Sequence, residues 1–576
     1  MKNNSNSSFL KLFKRFIQYK LMLSSLLIVM LAVIVLQLSP PILIKIGIDK
    51  YIMAGDIKGL NHIVLLLGLI FCVEFFLSFL KTYITQKLSQ IIMAKIRLDL
   101  FKKIERQNAA FFDRHKVGEL VSRLTSDISN LEQLFATGFL DSLLKVVMII
   151  IIVCILIVLN LQLALVVFSV LPAVSIFFLV FSVLVMPLYR KLRVNTAKLS
   201  GFLRENISGM SVIQSFSKES SHQRKFNDLN EELSFNYRKI ITYFALFFPS
   251  IEVASSITIV LILLFGGKLI LGGLLTIGTL VAFIDYIDKL FSPLKELSER
   301  YNLFQSAAAS AERIFDLLED QDNIIIEGDK LLENVKGYVE FRNVSFSYNT
   351  EPVLKNVSFK INPGEKIAFV GATGSGKSTI LKLLTRFYEI NEGSILIDKQ
   401  DSKEYTLSSL RKAFGWITQD AQIFSASVSE NISVFNSKMD QITIQDAAKQ
   451  TKSARFIERL TDSYEEKLSE GGENLSVGEK QLLAITRLVA YKSKILLLDE
   501  ATANIDVITE ELINESLQTL MENMTTIVVA HRLATVKHVD RILVFDQGRI
   551  IEEGSHSELL EKKGLYHKLY KYQFKK

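Results

Sequence analysis

Six long apolar runs constrain this chain more than any other feature of its sequence. A run of roughly 18 apolar residues is long enough to cross a hydrocarbon layer about 30 Å thick as a helix. Runs of about this length or longer lie at 21–44, 63–80, 143–159, 161–188, 240–265 and 274–291, and none follows residue 300. The sequence therefore predicts an N-terminal half embedded in a membrane and a more polar C-terminal half.

Composition narrows the possible classes of protein. The chain has 576 residues, of which 49% are hydrophobic and 22% charged, with a mean hydropathy of +0.29. This is too apolar for a soluble enzyme and too rich in core-forming side chains for a disordered chain. The two cysteines, Cys72 and Cys154, both lie in apolar stretches, so a disulfide framework and a cysteine-rich metal site are excluded.

The Lys and Arg residues predict how the spans are oriented, because positive charge concentrates on the cytoplasmic side. Segments 83–142 and 190–239 contain nine and ten Lys or Arg, whereas 45–62, Asn160 and 266–273 contain three, none and one. Both termini and the two long loops are therefore predicted to be cytoplasmic. The long loops keep a helical period without proline, so we expect them to extend the spans as long helices. The Lys and Arg residues that give the chain its net charge of +7 flank the spans. We therefore predict no nucleic-acid partner.

Ionisable residues within the apolar runs are candidates for a polar pathway, because a charge that faces lipid is costly. They are Glu74, Lys145, Glu252, Asp285 and Asp288. Asp285 and Asp288 share one helix face. They predict either an acidic cavity that favours cationic cargo, or carboxylates near water or basic neighbours. The cargo role of Asp285, Asp288 and Glu74 stays open.

A glycine-rich loop dominates the C-terminal half. A strand-like run at 366–370 leads into Gly371, Ala372, Thr373, Gly374, Ser375, Gly376, Lys377, Ser378 and Thr379, and a helix-like run follows. This matches the phosphate-binding pattern G-x-x-x-x-G-K-[ST] between a strand and a helix. The loop N–H groups are predicted to bind the phosphates of a nucleotide, Lys377 the β- and γ-phosphates, and the Ser378 hydroxyl Mg²⁺.

A second apolar strand, 495–498, ends in two carboxylates, Asp499 and Glu500. A carboxylate at the end of a buried parallel strand can bind Mg²⁺ beside the glycine loop, and a second one can activate the attacking water. We therefore predict Asp499 as a metal ligand and Glu500 as the general base that activates the attacking water.

The segment Leu475-Ser476-Val477-Gly478-Glu479-Lys480-Gln481 resembles the signature of the ATP-binding cassette (ABC) transporters. With the glycine loop, the carboxylate pair and 111–124, which is similar to the family's coupling segment, the chain looks like an exporter half-transporter. The resemblance implies an all-α transmembrane domain with six helices, fused to an α/β nucleotide-binding domain. The predicted limits are 1–315 for the first domain, 316–336 for a linker and 337–576 for the second.

The same resemblance implies roles for further residues. Tyr348 would stack on adenine, Gln419 would reach Mg²⁺ or the attacking water, and His531 would contact the γ-phosphate. Asp506 lies in a segment, 503–506, that is similar to the family's D-loop. Ser476 and Gly478 would bind a γ-phosphate held by a second subunit, so the resemblance implies a dimer that closes on ATP.

Two residues depart from the family's commonest signature, Leu-Ser-Gly-Gly-Gln: Val477 stands at its third position and Glu479 at its fifth. Because its signature is altered while Glu500 is intact, the chain resembles the B-type subunit of bacterial heterodimeric multidrug-like exporters. A heterodimer with a second half-transporter is therefore favoured over a homodimer, and whether the altered signature makes one ATP site degenerate stays open.

The resemblance implies ATP-driven export of a small, amphipathic or hydrophobic substrate across the plasma (inner) membrane, most simply of a bacterium. The expected partners are a second half-transporter, the lipid bilayer and a small-molecule or lipid substrate, with ATP and Mg²⁺ as cofactors. An ATP-gated channel and a lipid flippase remain alternatives, and the identity of the substrate stays open.

Overall fold

The computed structural model describes residues 11–12, 14–137, 139–320, 327–348, 351–499, 507–522, 524–529, 536 and 538–573. The chain divides into two compact units. Met1–Ile104 and Gly118–Asp320 form the first, which we call the helical unit. Glu105–Val117 and Gln321–Lys576 form the second, which we call the mixed unit.

Helices build the N-terminal part of the chain, and several of them are long. They are α1 (Lys20–Ile46), α2 (Ile57–Glu105), α3 (Ala109–Arg114), α4 (Val117–Ser122), α5 (Ile128–Thr137), α6 (Phe139–Leu159), α7 (Leu161–Ser208), α8 (Met210–Ser215), α9 (Glu219–Leu271) and α10 (Ile277–Glu319), with π-helical turns at Gly47–Ile52 and Arg123–Asp127. The four longest, α2, α7, α9 and α10, have 49, 48, 53 and 43 residues. At 1.5 Å per residue they reach about 65–80 Å, well beyond a bilayer core, which confirms the predicted extensions.

Five helical stretches of the described residues are long and apolar enough to cross a membrane. They are Lys20–Ile52, Ile57–Glu105, Val117–Leu159, Leu161–Ser208 and Glu219–Leu271. They contain the first five predicted runs. The sixth run, 274–291, falls in α10, where Asp285, Asp288 and Lys289 interrupt the apolar sequence, and α10 is not among the five.

Specific contacts join α10 to α1 and to the π-helical turn Gly47–Ile52 that follows α1. The hydroxyl of Tyr286, a buried side chain, donates to the Leu38 carbonyl oxygen at 2.6 Å. Asp49 binds the start of α10, because its carboxylate accepts from the Thr276 hydroxyl at 2.6 Å and from the Gly278 N–H at 2.8 Å. The first contact satisfies a phenol inside an apolar core, and the second satisfies a helix N-terminus.

Two sheets organise the mixed unit. Their strands are β1 (Val339–Ser347), β2 (Pro352–Ile361), β3 (Lys366–Gly371), β4 (Glu392–Ile397), β5 (Gln400–Asp401), β6 (Phe414–Ile417), β7 (Ile495–Asp499), β8 (Thr525–Val529), β9 (Arg541–Asp546) and β10 (Arg549–Gly554). One sheet is antiparallel in the order β2-β1-β4-β5, and the other has the order β10-β9-β3-β8-β7-β6. The pairs from β9 to β6 are parallel and β10 is antiparallel. The carboxyl ends of β3, β7 and β8 therefore meet at one edge.

Helices cover both faces of the parallel sheet. They are α11 (Lys377–Leu384), α12 (Leu407–Ala413), α13 (Val428–Ser433), α14 (Gln441–Gln450), α15 (Ala454–Ile457), α16 (Val477–Tyr491), α17 (Val507–Met521), α18 (His556–Glu561) and α19 (Leu565–Gln573), and short 3₁₀ turns lie at Ser402–Glu404, Ser463–Glu465 and Glu470–Gly472. Alternate residues of β3 enter two different cores, Ala368 and Val370 one, Ile367 and Phe369 the other. A strand buried on both faces reads as a continuous apolar run, as 366–370 does.

The predicted fold class is confirmed: a helical unit of membrane-length helices and an α/β unit lie in one chain. The predicted domain limits stay a prediction. Two observations bear on them. Helix α10 continues to Glu319, past residue 315, and the segment Glu105–Val117 belongs to the mixed unit.

Candidate nucleotide-binding site

The glycine loop connects the central strand β3 to helix α11. Gly374 and Gly376 have φ angles of +84° and +99°, in the left-handed region that favours glycine. At Gly371 a Cβ atom would lie 2.3 Å from the Phe545 carbonyl oxygen, so the close approach of β9 requires glycine there. The loop can therefore wrap at the N-terminus of α11, where N–H groups and the helix dipole favour an anion.

Lys377 is the first residue of α11, and its side chain lies inside the loop. The residue is only 4% exposed. Its Nζ donates to the carbonyl oxygens of Gly371 at 2.8 Å and Ala372 at 2.9 Å, and to Ser375 Oγ at 3.4 Å. A buried ammonium group among loop carbonyls places positive charge at the point where the sequence predicts phosphate oxygens.

Ser378 and Asp499 come together although they are 121 residues apart in sequence. The Ser378 hydroxyl donates to Asp499 Oδ1 at 3.3 Å. A hydroxyl and a carboxylate are the oxygen ligands that Mg²⁺ prefers, so this pair fits the predicted metal site. Within the described ranges no three or more His, Cys, Asp or Glu side chains form a metal cluster. A Mg²⁺ held here would complete its coordination with phosphate and water oxygens.

Tyr348 presents an aromatic face beside the glycine loop. The residue is 40% exposed, and its ring packs edge-to-face against Phe346 and Tyr388, with centroids 4.9 Å and 5.0 Å away. Its hydroxyl lies 3.2 Å from Thr379 Oγ1, and the Lys382 ammonium lies 5.6 Å from its ring centroid. A partly exposed ring fixed on one side is suited to stacking on a base.

Gln419 lies after β6, on an exposed stretch of chain. Its backbone carbonyl accepts from Gln481 Nε2 at 2.7 Å. Gln481 is 2% exposed and belongs to α16, the helix that the signature begins. The predicted Gln419 loop and the signature helix are therefore joined by a buried amide that the sequence reading did not single out.

The signature residues cap the N-terminus of α16. The Ser476 Oγ accepts from the Glu479 N–H at 3.3 Å. Glu479 Oε2 in turn accepts from the Ser476 N–H at 2.8 Å and from its hydroxyl at 2.9 Å, which completes a capping box. Val477 is exposed and Gly478 is buried. The carboxylate of Glu479, an unusual residue at this position of the signature, is therefore hydrogen-bonded to Ser476, which was predicted to bind phosphate.

Three predicted site residues, Glu500, Asp506 and His531, lie outside the described residues. The strands before two of them are described. Glu500 follows β7 and His531 follows β8 in sequence, and both strands end at the edge of the sheet that carries the glycine loop. The roles of the three residues stay predictions.

The mixed unit also contains a contact that sequence reasoning missed. The Tyr388 hydroxyl donates to the Asp113 carboxylate, and the Ala109 N–H donates to the Phe387 carbonyl at 3.4 Å. Ala109 and Ala110 pack on the core beneath β1 and β3. Burial, and then the hydrogen bond to Asp113, raise the pKa of Tyr388 above its ordinary value, so the hydroxyl stays a neutral donor. Helix α3, which follows the long helix α2 and precedes the short helix α4, is therefore anchored next to Tyr348.

The fold and the site define a class: a P-loop unit that binds nucleoside triphosphates, in one chain with helices long enough to cross a membrane. Comparisons with known proteins agree. Residues 22–294 match the family described as "ABC transporter transmembrane region", and residues 354–503 match the family described as "ABC transporter".

Full-length relatives and a solved structure extend these matches. The chain is 34% identical to an uncharacterized ABC transporter ATP-binding protein, YfiC, of Bacillus subtilis, over 96% of this chain and 92% of the relative. It is 33% identical to an ATP-dependent lipid A-core flippase of Desulfotalea psychrophila, over 98% and 99% of the two chains. A bacterial Atm1-family ABC exporter with ATP bound superposes with a TM-score of 0.77 at 25% identity, covering 96% of this chain and 98% of that one. The chain belongs to the ABC transporter family, among its exporter half-transporters, which are ATPases coupled to transmembrane transport.

Proposed function

We propose that this chain exports a small amphipathic or hydrophobic substrate across a bacterial plasma membrane, with both termini in the cytosol, by alternating access of a dimer. The observation that carries the proposal is the pairing of Ser378 with Asp499 beside the buried Lys377, in a chain whose other unit has membrane-length helices. The bacterial relatives and the excess of Lys and Arg in the two long loops support the location and the orientation.

In this proposal the loop N–H groups and Lys377 hold the β- and γ-phosphates, and Tyr348 stacks on adenine. Ser378 and Asp499 hold Mg²⁺, with Gln419 within reach of it or of the attacking water. The metal supplies positive charge that offsets the charge developing on the transferred phosphoryl group.

Hydrolysis needs a base and a sensor of the γ-phosphate. We assign these roles to Glu500, which accepts a proton from the attacking water, and to His531, which donates to a γ-phosphate oxygen. Ser476, Gly478 and Asp506 would act at the interface with the other subunit, so ATP binding would draw the two nucleotide-binding domains together. The long helices would pass this movement to the spans as a shift between two states.

A heterodimer is the assembly we favour over a homodimer. The support is the contact between Glu479 and Ser476, because a carboxylate bound to the signature serine adds negative charge where a γ-phosphate is proposed to lie. Each ATP site would combine the glycine loop and Glu500 of one subunit with the signature of the other. A dimer of two such chains would therefore carry the Glu479 charge at both ATP sites. With a partner whose signature is unaltered, the ATP site that contains Glu500 of this chain would lack that charge.

The experiment that tests export uses the full chain, co-expressed with a half-transporter encoded by a neighbouring gene and reconstituted with it into liposomes. ATP-dependent movement of a fluorescent amphiphile is expected, and Lys377→Ala should abolish it. An ATP-gated current in single-channel recordings would instead favour the channel alternative. Translocation of a fluorescent phospholipid between leaflets would favour a flippase, the activity named for the Desulfotalea relative. Absence of all three activities in an ATP-hydrolysing preparation would contradict the proposal.

A further inference from the structure

Gln481 lies in the second turn of α16 and is buried, with 2% of its surface exposed. Its Nε2 donates to the Gln419 carbonyl oxygen at 2.7 Å. Its Oε1 is also buried, and among the described residues this atom has no hydrogen-bond partner. A buried acceptor without a partner costs free energy, and an apolar side chain of similar volume would avoid that cost. The bond to Gln419 is therefore what distinguishes this amide from an apolar side chain at the same place.

A second side chain of α16 holds the same stretch of chain. Residues 418–427 connect β6 to α13, and we call this segment the Gln419 loop. Arg487, six residues after Gln481, donates from Nη1 to the Gln422 carbonyl oxygen at 2.6 Å. The same guanidinium donates from Nε to the carbonyl oxygen of Asn431, in α13, at 2.7 Å. Helix α16 therefore fixes the Gln419 loop at two backbone carbonyls, and neither bond uses the Gln419 side chain.

The Gln419 loop begins at the edge of the parallel sheet that carries the candidate metal site. Strand β6 pairs with β7 in parallel, and Ile417, the last residue of β6, lies opposite Leu498. Asp499 is the next residue of β7, and Gln419 lies two residues beyond the end of β6, so both emerge at the same edge. The position of this backbone decides whether the Gln419 side chain can reach Mg²⁺ held by Ser378 and Asp499.

The other end of this connection is the signature. Ser476 caps the N-terminus of α16, and Gln481 follows it by five residues, about one and a half turns. A helix moves as a rigid element over so short a distance, so a shift of its N-terminus is passed to Gln481. In the proposed dimer this N-terminus binds the γ-phosphate held by the other subunit, whereas Gln419 acts at the ATP site of its own chain. The amide of Gln481 therefore lies between the two ATP sites.

We propose that Gln481 is a positioning residue for ATP hydrolysis, whose amide sets the backbone of Gln419 according to the position of the signature helix α16. ATP held by the other subunit and bound at the N-terminus of α16 would in this way bring Gln419 into place at the ATP site of this chain. The proposal rests on the proposed function, because it needs a dimer in which the signature of one subunit binds the nucleotide of the other.

The test uses the full chain with the half-transporter encoded by a neighbouring gene, co-purified in lipid nanodiscs. Gln481→Met removes the donor and keeps most of the side-chain volume. Tyr491→Phe is the matched control, because Tyr491 also belongs to α16 and its hydroxyl donates to a backbone carbonyl outside the Gln419 loop, that of Ser433, at 2.6 Å. The kcat and KM of ATP hydrolysis are measured together with the affinity for a fluorescent ATP analogue.

Gln481→Met is expected to lower kcat about fivefold or more and to change KM and the analogue affinity less than about twofold, because the glycine loop stays intact. Tyr491→Phe should leave all three values unchanged. Gln419→Ala removes the side chain that Gln481 positions, so Gln481→Met should lower kcat much less in a Gln419→Ala background than in the unaltered chain. A role in stability alone would lower kcat by the same factor in both backgrounds.

Amide hydrogen exchange of the unaltered dimer tests the same connection and needs neither hydrolysis nor a variant. A non-hydrolysable ATP analogue with Mg²⁺ should slow exchange in 476–481 and in 414–423 together. In Gln481→Met the slowing in 414–423 should be lost while that in 476–481 persists.

Three results would overturn the proposal: an unchanged kcat in a folded Gln481→Met dimer, an equal loss of kcat in both backgrounds, or slowed exchange in only one of the two segments of the unaltered dimer. Absence of hydrolysis in the unaltered dimer would instead count against the proposed function, and the exchange measurement would still decide on Gln481.

Discussion

Among single residues, Lys377 makes close contacts with the glycine loop. It is buried, and its Nζ donates to two loop carbonyls. Lys377→Ala removes this charge, and a hydrogen bond to a charged group contributes about 1.5–3 kcal/mol. We expect ATP affinity of the full chain to fall at least about tenfold, measured by titration of a fluorescent ATP analogue.

The matched control for this prediction is Lys438→Ala. Lys438 is an exposed lysine in the same unit, and the variant removes the same charge. Its ATP affinity should equal that of the unaltered chain. Equal affinity in Lys377→Ala would contradict the placement of the phosphates at this loop.

Glu479 offers a sharper test, because its charge can be removed without removing the helix cap. Glutamine at the same position can still bind the Ser476 N–H, so Glu479→Gln should keep α16 folded. Loss of a partly exposed negative charge near the proposed phosphate should raise the ATPase rate of the dimer about two- to fivefold. The comparison is Glu479→Ala, which removes both charge and cap and should also lower the thermal midpoint. An unchanged or slower rate in Glu479→Gln would show that the carboxylate does not oppose phosphate binding.

Glu340 makes the stability of the mixed unit depend on pH. Hydrogen bonds from Arg342, together with one from Tyr338, lower the pKa of this buried carboxyl from 4.5 to about 2 and outweigh its desolvation. A pKa lowered by folding adds stability above the unfolded value, and this stability is lost as pH falls through the folded value. We therefore expect the unfolding midpoint to fall as pH decreases from 4.5 to about 2.

The pH dependence can be read from one fluorophore. Trp416, the single tryptophan of the chain, lies in β6 of the mixed unit, so its emission reports unfolding of this unit. Glu340→Gln should flatten the acid limb and lower the thermal midpoint at pH 7 by a few degrees. The exposed Glu522→Gln is the control, and an acid limb that is the same in both variants would contradict the assignment.

At the scale of elements, α3 is a short helix that depends on its contacts with the rest of the mixed unit. The Tyr388 hydroxyl donates to Asp113, and the donor stays neutral because the pKa of Tyr388 is raised. Tyr388→Phe removes the bond and keeps the ring. We expect amide hydrogen exchange in residues 105–117 to become about tenfold faster, or more.

Two further variants separate this contact from general destabilisation. Asp113→Asn combined with Tyr388→Phe should add little to Tyr388→Phe alone, because both changes act on one bond. Tyr491→Phe, which removes a 2.6 Å bond to the Ser433 carbonyl elsewhere in the unit, should leave exchange in 105–117 unchanged. Equal acceleration in both tyrosine variants would mean that α3 responds to overall stability.

Most elements of this chain could be predicted because their signals are local. Apolar length predicts spans, helical period predicts the extensions of α2, α7 and α9, and the glycine pattern predicts the turn between β3 and α11. The charged residues Asp285, Asp288 and Lys289 interrupt the apolar run of α10. Apolar length alone is therefore a weak predictor of a membrane span there. The capping box at α16 was also readable, since Ser476 is followed three residues later by Glu479.

At the scale of the whole molecule, pairing between distant residues limits what a sequence predicts. Ser378 and Asp499 were predicted to lie close together because both lie near the carboxyl ends of strands in a parallel sheet. The carboxyl ends of parallel strands all lie at the same edge of the sheet. No comparable rule joins Tyr388 to Asp113, which are 275 residues apart and lie on different elements.

The central claim is that ATP hydrolysis at the site of Lys377, Ser378, Asp499 and Glu500 drives this exporter. The most direct test measures Mg²⁺-dependent ATP hydrolysis by the full chain in lipid, purified alone and co-expressed with a neighbouring half-transporter, each with and without Glu500→Gln. We predict hydrolysis in the co-expressed dimer that requires Mg²⁺ and falls about 100-fold or more with Glu500→Gln. A dimer that hydrolyses ATP at the same rate with Glu500→Gln in each copy of this chain would contradict the account.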